Sequence, residues 1–208
     1  LANKLAQQGF TAIPIEYRLS IEAPYPKGLE DINKAIVWLK KNAAQYNINA
    51  TNMLIAGGSS GGHMAALIAY SAETKLYKTS VDDTKLSGVI VLDGVLDFTS
   101  EIGLKYENKR GEKSAAALWL GGSYERIPDR WKEASPIYHI NEKSPPLLFI
   151  SSGNMRFQAG LINTRKKLVS FDIPVVYHQF EAPHTFWLFE PWLSATVEHI
   201  NQFISAQR

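Results

Sequence analysis

Residues 55–69 read IAGGSSGGHMAALIA, with four glycines around two serines directly after an apolar run. A serine hydroxyl becomes a nucleophile where a sharp strand-to-helix corner holds it exposed beside a base, and G-x-S-x-G is the pattern of that corner. Gly57-Gly58-Ser59-Ser60-Gly61 fits it and makes Ser59 the candidate nucleophile. The shifted frame, Gly58 to Gly62, would make it Ser60, and spacing alone leaves both open. Glycines two before and two after the serine would relieve crowding between strand and helix. The helix that follows would aim its N-terminal amides and positive dipole end at a developing oxyanion, with the backbone N–H of Ser60 as donor. Phosphate-binding alternatives fail on particular residues. His63 stands where a Walker loop needs lysine, and neither Gly57 nor Gly58 opens a G-x-G-x-x-G series. A close helix–strand crossing with no chemistry is the competing structural reading.

A nucleophilic serine needs a base, and in this topology the histidine follows the last strand. Of five histidines, only His184, in FEAPHTFW, lies in the loop leaving the last apolar segment. His63 falls in the helix behind the corner, His178 in the last strand, His139 before the fourth strand and His199 in the final helix. Those four read as packing or surface residues.

Positioning these groups falls to five apolar, β-branched segments: FTAIPIEYRL (10–19), NMLIAGG (52–58), SGVIVLDG (87–94), PPLLFISSG (145–153) and IPVVYHQF (173–180). Between them, 29–46 places Ile32, Ala35, Ile36 and Leu39 on one helical face, and 156–170 and 186–208 read as further helices. Alternation of strand and helix predicts a mostly parallel α/β sheet with helices on both faces. The stretch 99–135, charged and then aromatic, reads as a lid or substrate-facing insertion, or as a solvated connection around one short helix.

The 208 residues suit one domain, 1–208. With 22 basic and 20 acidic residues well mixed, no basic stripe argues for nucleic acid or an anionic membrane surface. The absence of cysteine removes disulfides, thiolate metal sites and cysteine catalysis together, and neither metal nor cofactor is expected. No apolar run approaches the ~20 residues that span a bilayer. The opening LANKLAQQGF reads as the middle of a helix, so the sequence looks like the C-terminal part of a longer chain.

EYRLSIEAPYPKGLEDINKAIVWLKKNAAQYNI followed by GGSSGGHMAAL resembles the α/β-hydrolase esterase/lipase superfamily, nearest to its carbohydrate-esterase-like branch of feruloyl and acetyl xylan esterase relatives. LGGSYERIPDRWKEASPIYHI is similar to the segment before the seventh strand of those enzymes, and RFQAG and PHTFWLFEPW resemble a subgroup of bacterial polysaccharide esterases. The resemblance implies an α/β-hydrolase fold lacking its N-terminal strands, with Ser59 rather than Ser60 as nucleophile and His184 as base. It further implies hydrolysis of small acyl or methyl esters, on an esterified plant polysaccharide, with secretion or a periplasmic location for such an enzyme.

Two departures stand out. Nothing matches the family's H-G-G-G-like oxyanion loop, and after PPLLFI, where the family places its aspartate, no carboxylate occurs from Ser151 to Phe171. Asn154 could orient an imidazole there without stabilising its charge. The loop DGVLDFTSE offers Asp93, Asp97 and Glu101 instead. Asp97 sits in the loop proper, whereas Asp93 belongs to the strand end, so Asp97 is the predicted acid and a turn cap is its competing role. For substrate, Arg156 could pair with a uronate carboxylate. Trp187, with Phe186, Trp119 and Trp131, could offer flat faces to sugar rings. The duller roles are a surface ion pair for Arg156 and core packing for the aromatics. A non-catalytic hydrolase-fold binding protein and a serine peptidase of the same fold are the alternative functions, and oligomeric state is left open.

Overall fold

Short runs of β-branched and apolar residues form the four strands: β1 (Leu54–Gly58), β2 (Gly88–Leu92), β3 (Leu147–Ser151) and β4 (Val175–Gln179). The chain is described here from a computed structural model, which covers residues 1–20, 22–74, 76–77 and 84–207. All neighbouring strands run parallel in the order β1-β2-β3-β4, with Gly58 opposite Leu92 and Leu92 opposite Ile150. Helices α1 (Ala2–Gln7), α2 (Lys27–Asn42), α3 (Ser60–Tyr70), α4 (Glu101–Glu107), α5 (Ala115–Leu120), α6 (Pro128–Glu133), α7 (Leu161–Val169) and α8 (Trp192–Ser205) lie before, between and after them.

The two inner strands are buried at every position and apolar except for Ser151 at the end of β3, as a parallel sheet covered on both faces requires. Val89, Val91, Leu147 and Phe149 pack with Ala65, Ala66 and Ala69 of α3 and with Leu161 and Leu168 of α7. Ile90, Leu92, Leu148 and Ile150 pack with Ile200, Phe203 and Ile204 of α8. The α/β sheet with helices on both faces is therefore observed. Its outer strand β1 is only half-buried and its central Ala56 is exposed.

Three local expectations change. Residues 10–19 form no strand: Pro14 has no N–H to give a ladder, and no strand lies on the outer side of β1 among the described residues. Ile13 and Leu19 are exposed, and Arg18 instead ties the segment to α2 through a bidentate pair with Asp31 at 2.6 and 2.7 Å. The helix expected over 156–170 is broken into a 3₁₀ turn, Met155–Gln158, and α7. The break is at Gly160, whose φ of +82° and crowding against Asp97 exclude a side chain. The stretch 99–135 holds three short helices rather than one, and Leu120 and Trp131 within it are wholly buried.

Candidate active site

The site forms at the C-terminal ends of β1 and β2, completed by the loop after β4. β1 stops at Gly58, Ser59 takes φ 56° and ψ −123°, and α3 starts at Ser60. A non-glycine residue in that region is strained and persists only because its surroundings fix it. Here the Ser59 N–H donates to the Leu92 carbonyl at 2.8 Å, and the Ser59 carbonyl accepts from His63 N–H at 3.0 Å. The flanking glycines act unequally. A Cβ on Gly57 would run into the Gly61 carbonyl and come within 2.7 Å of Gly62 N, and one on Gly58 would overlap the Trp187 ring. A Cβ on Gly61 would meet nothing within 4 Å. The first glycine of the motif thus serves strand–helix contact, and the second leaves its backbone where Gly57 needs the room.

Because α3 begins immediately, the N–H groups of Ser60, Gly61 and Gly62 precede the first intrahelical hydrogen bond and have no acceptor within the helix. They point outward beside Ser59, where the helix end favours negative charge.

His184 reaches this corner from the loop after β4. Its Nε2 lies 2.8 Å from Ser59 Oγ, and its Nδ1 lies 3.0 Å from Asp93 Oδ2. A carboxylate accepts only, so Nδ1 carries the proton and Nε2 is left to accept from the serine hydroxyl. The Ser59 frame is the one brought to the histidine; the Ser60 side chain is exposed. Asp93 is wholly buried with φ 52°, and its Oδ1 accepts the Ser152 N–H at 2.8 Å.

The structure thus places Asp93, not the predicted Asp97, against the imidazole. Gly58 and Leu92 are register partners, so the residues one step beyond, Ser59 and Asp93, stand side by side at the lip of the sheet. Asp97 lies past that lip. Its Oδ1 accepts from Thr99 N–H at 2.8 Å, Thr99 Oγ1 at 2.7 Å and Ser100 N–H at 3.1 Å, the pattern of a turn cap. Position 152, in the loop after β3 that has no acid, supplies instead the amide that holds the acid of its neighbour strand. The signal that could have found Asp93 is its place as the first residue after an apolar strand, level with Ser59.

Arg156 is also differently engaged. Its Nε and Nη2 donate to the two oxygens of buried Glu107, from α4, at 2.6 and 2.9 Å. That pairing holds its pKa above the ordinary guanidinium value and takes up the Nε–Nη2 edge of the guanidinium. Trp187 does lie at the site: its ring packs on Gly58 and stands edge-on to His184, centroids 5.4 Å apart at 89°. Phe186 and Trp131 are wholly buried, and Trp119 packs edge-on against His63 and Tyr25, so none of these three offers a free face beside His184. Asn154 caps the following 3₁₀ turn by accepting from Arg156 N–H.

The other four histidines sit elsewhere. His63 is buried behind the corner, donating Nδ1–H to the Val95 carbonyl at 2.7 Å, and desolvation lowers its pKa to about 4. His178 and His199 stack on each other, and His139 bonds the Glu133 carbonyl. Among the described residues no group of three or more His, Cys, Asp or Glu could hold a metal ion, and no helix is long and apolar enough to cross a membrane.

Known proteins similar to this chain include esterases. The esterase LipQ of Mycobacterium tuberculosis is 25% identical over 197 residues, covering 89% of this chain and 46% of LipQ. LipC, an esterase of the same organism, is 27% identical over 151 residues, 71% of this chain and 37% of LipC. The chain therefore spans less than half the length of these relatives. Among solved structures, a truncated carbohydrate esterase from gut microbiota superposes with a TM-score of 0.78 at 20% identity, over 92% of this chain and 72% of that one. A bifunctional GH43-CE protein of Bacteroides eggerthii gives 0.80 at 21% identity, over 98% and 30%. These likenesses establish the α/β-hydrolase fold. The BD-FAE family model matches residues 1–155, which include the serine corner and Asp93, and the chain belongs to that family of α/β-hydrolase esterases.

Proposed function

We propose that this chain is a serine carboxylesterase acting on small acyl or methyl esters through Ser59, His184 and Asp93. The observation that carries the reading is the unbroken relay from Ser59 Oγ to His184 Nε2 at 2.8 Å and from Nδ1 to buried Asp93 at 3.0 Å. Ser59 Oγ attacks the ester carbonyl while Nε2 takes its proton. The imidazolium so formed lies against the Asp93 carboxylate, which compensates its charge. The carbonyl oxygen, now an oxyanion, is met by the Ser60 N–H and the positive end of α3. Nε2 then protonates the leaving alkoxide, leaving an acyl-serine. A water that gives its proton to Nε2 cleaves the acyl-serine in turn, releasing the acid and restoring Ser59.

An esterified polysaccharide is the substrate class proposed, on the ground that structural neighbours include carbohydrate esterases and an acetyl ester-xyloside bifunctional hydrolase of Caldicellulosiruptor lactoaceticus. The test uses p-nitrophenyl acetate and acetylated xylan with the parent chain and Ser59→Ala. Turnover should fall by about 10⁴-fold or more in the variant, with an unchanged melting curve. Equal rates in the two chains would sink the reading. A Ser60→Ala chain should keep most of its activity, because its amide survives.

A further inference from the structure

Two in-plane hydrogen bonds locate the His184 ring without fixing its orientation. Both Nδ1 and Nε2 are held, by Asp93 and Ser59, but the ring can still tilt about the line that joins them. Neither hydrogen bond opposes rotation about that line, because the Nδ1 and Nε2 directions lie nearly along it. The terminal torsion of a histidine is intrinsically broad, so only packing on the ring face sets the plane of the imidazole. Something must press on the face of the ring.

Phe157 does so. Its ring lies flat on the imidazole, centroids 3.6 Å apart and planes within 5°. Phe157 is 6% exposed, so the stack is a buried, packed contact rather than a surface encounter. Trp187 meets the same imidazole edge-on and limits sliding. Phe157 is itself held from two directions. Its N–H donates to the Asn154 carbonyl at 3.1 Å, within the 3₁₀ turn after β3. The Arg156 guanidinium carbon sits 5.2 Å from the centre of its ring, a cation–π distance. Glu107 fixes that guanidinium in turn with two hydrogen bonds at 2.6 and 2.9 Å.

We infer that Phe157 is a positioning residue for His184, setting the plane of the catalytic imidazole, and that the Arg156–Glu107 pair braces Phe157 in that role. This rests on the Ser59–His184–Asp93 reading above. It also gives Arg156 a use other than substrate contact and links α4, in the 99–135 excursion, to the reacting groups without touching substrate. Since the stack acts on proton transfer and not on ester binding, its loss appears in kcat and leaves KM nearly unchanged.

The experiment compares the full chain with Phe157→Leu and Phe157→Tyr, using p-nitrophenyl acetate kinetics and histidine NMR. Phe157→Leu removes the flat face while keeping apolar bulk. It should lower kcat by about 10- to 100-fold with KM within about twofold, the scale expected for a catalytic group misplaced by a fraction of an ångström. Phe157→Tyr keeps the ring and should retain most of kcat. In the NMR arm, the Nδ1–H proton of His184, held against Asp93, should give a sharp signal in the parent and in Phe157→Tyr and an exchange-broadened one in Phe157→Leu. An unchanged kcat in Phe157→Leu overturns the inference. So does an Nδ1–H signal equally sharp in the parent and the Leu variant, or a Tyr variant that melts like the parent yet is as slow as Leu. If Ser59→Ala proves as active as the parent, the triad reading falls, and the NMR arm still decides whether Phe157 orients His184.

Discussion

The turns that leave β1 and β2 lie side by side across one parallel strand pair, and each begins with a side chain held at positive φ: Ser59 at 56° and Asp93 at 52°. Both geometries lift a polar group off the end of a strand and aim it at the same imidazole. Around Ser59 the chain re-enters a helix at once, so strand and helix backbones touch at Gly57, while Gly58 makes room for the Trp187 ring. Beyond Asp93 the chain runs through a loop to α4; Gly94 packs there on the Gly62–His63 backbone, and the carboxylate itself is held by a hydrogen bond from Ser152. Glycine density therefore marks where backbones approach, not where chemistry occurs. Four glycines surround the strained serine, whereas a single glycine, Gly94, follows the equally strained aspartate.

The sharpest way to break this comparison is to change the acids on the second turn. Asp93→Asn should lower kcat by about 10⁴-fold, because an amide facing Nδ1 no longer enforces the proton-bearing tautomer or compensates the imidazolium. Asp97→Ala should leave kcat within a few-fold and cost about 1–3 kcal/mol in stability through the N–H and hydroxyl groups it orphans. Steady-state kinetics with denaturant melts on both variants would separate them, and the reverse ranking would return Asp97 to the triad.

A second test concerns the bond that joins the two turns, from His63 in α3 to the Val95 carbonyl. His63 is buried, its Nε2 has no partner among the described residues, and its folded pKa of about 4 lies below the ordinary 6.5. A histidine with a depressed folded pKa contributes stability that is present above its unfolded pKa, since below it the unfolded chain takes up the proton that the folded chain refuses. Stability should therefore fall from about pH 6.5 down to about pH 4 and then level, a loss on the order of 3 kcal/mol from this group. Urea melts across that range should show a flatter acid limb in His63→Gln, and an identical slope in both chains would remove His63 as the source.

The smallest effects sharpen the point about glycine. Gly57→Ala should destabilise by about 1–3 kcal/mol or more through overpacking against the Gly61 and Gly62 backbones. Gly61→Ala, whose methyl would meet open space inside a helix, should be neutral or stabilising by up to about 1 kcal/mol and keep its activity. Equal damage from the two would mean that the motif glycines matter for backbone conformation rather than for contact.

The sequence by itself determined the parallel sheet, the serine corner and its histidine. Each rests on local information: apolar runs of strand length, glycines at fixed offsets from a serine, and one histidine in the loop after the last strand. Tertiary structure alone decided which carboxylate faces His184, because Asp93 and Asp97 are the same residue type four positions apart and only cross-strand register puts the first beside Ser59. It likewise decided that 10–19 forms no strand, since a strand needs a hydrogen-bonding neighbour that no local pattern supplies. The same holds for Arg156 and Phe157. The partners that bind one and define the other, Glu107 and His184, lie 49 and 27 residues away in sequence, a separation that only packing closes.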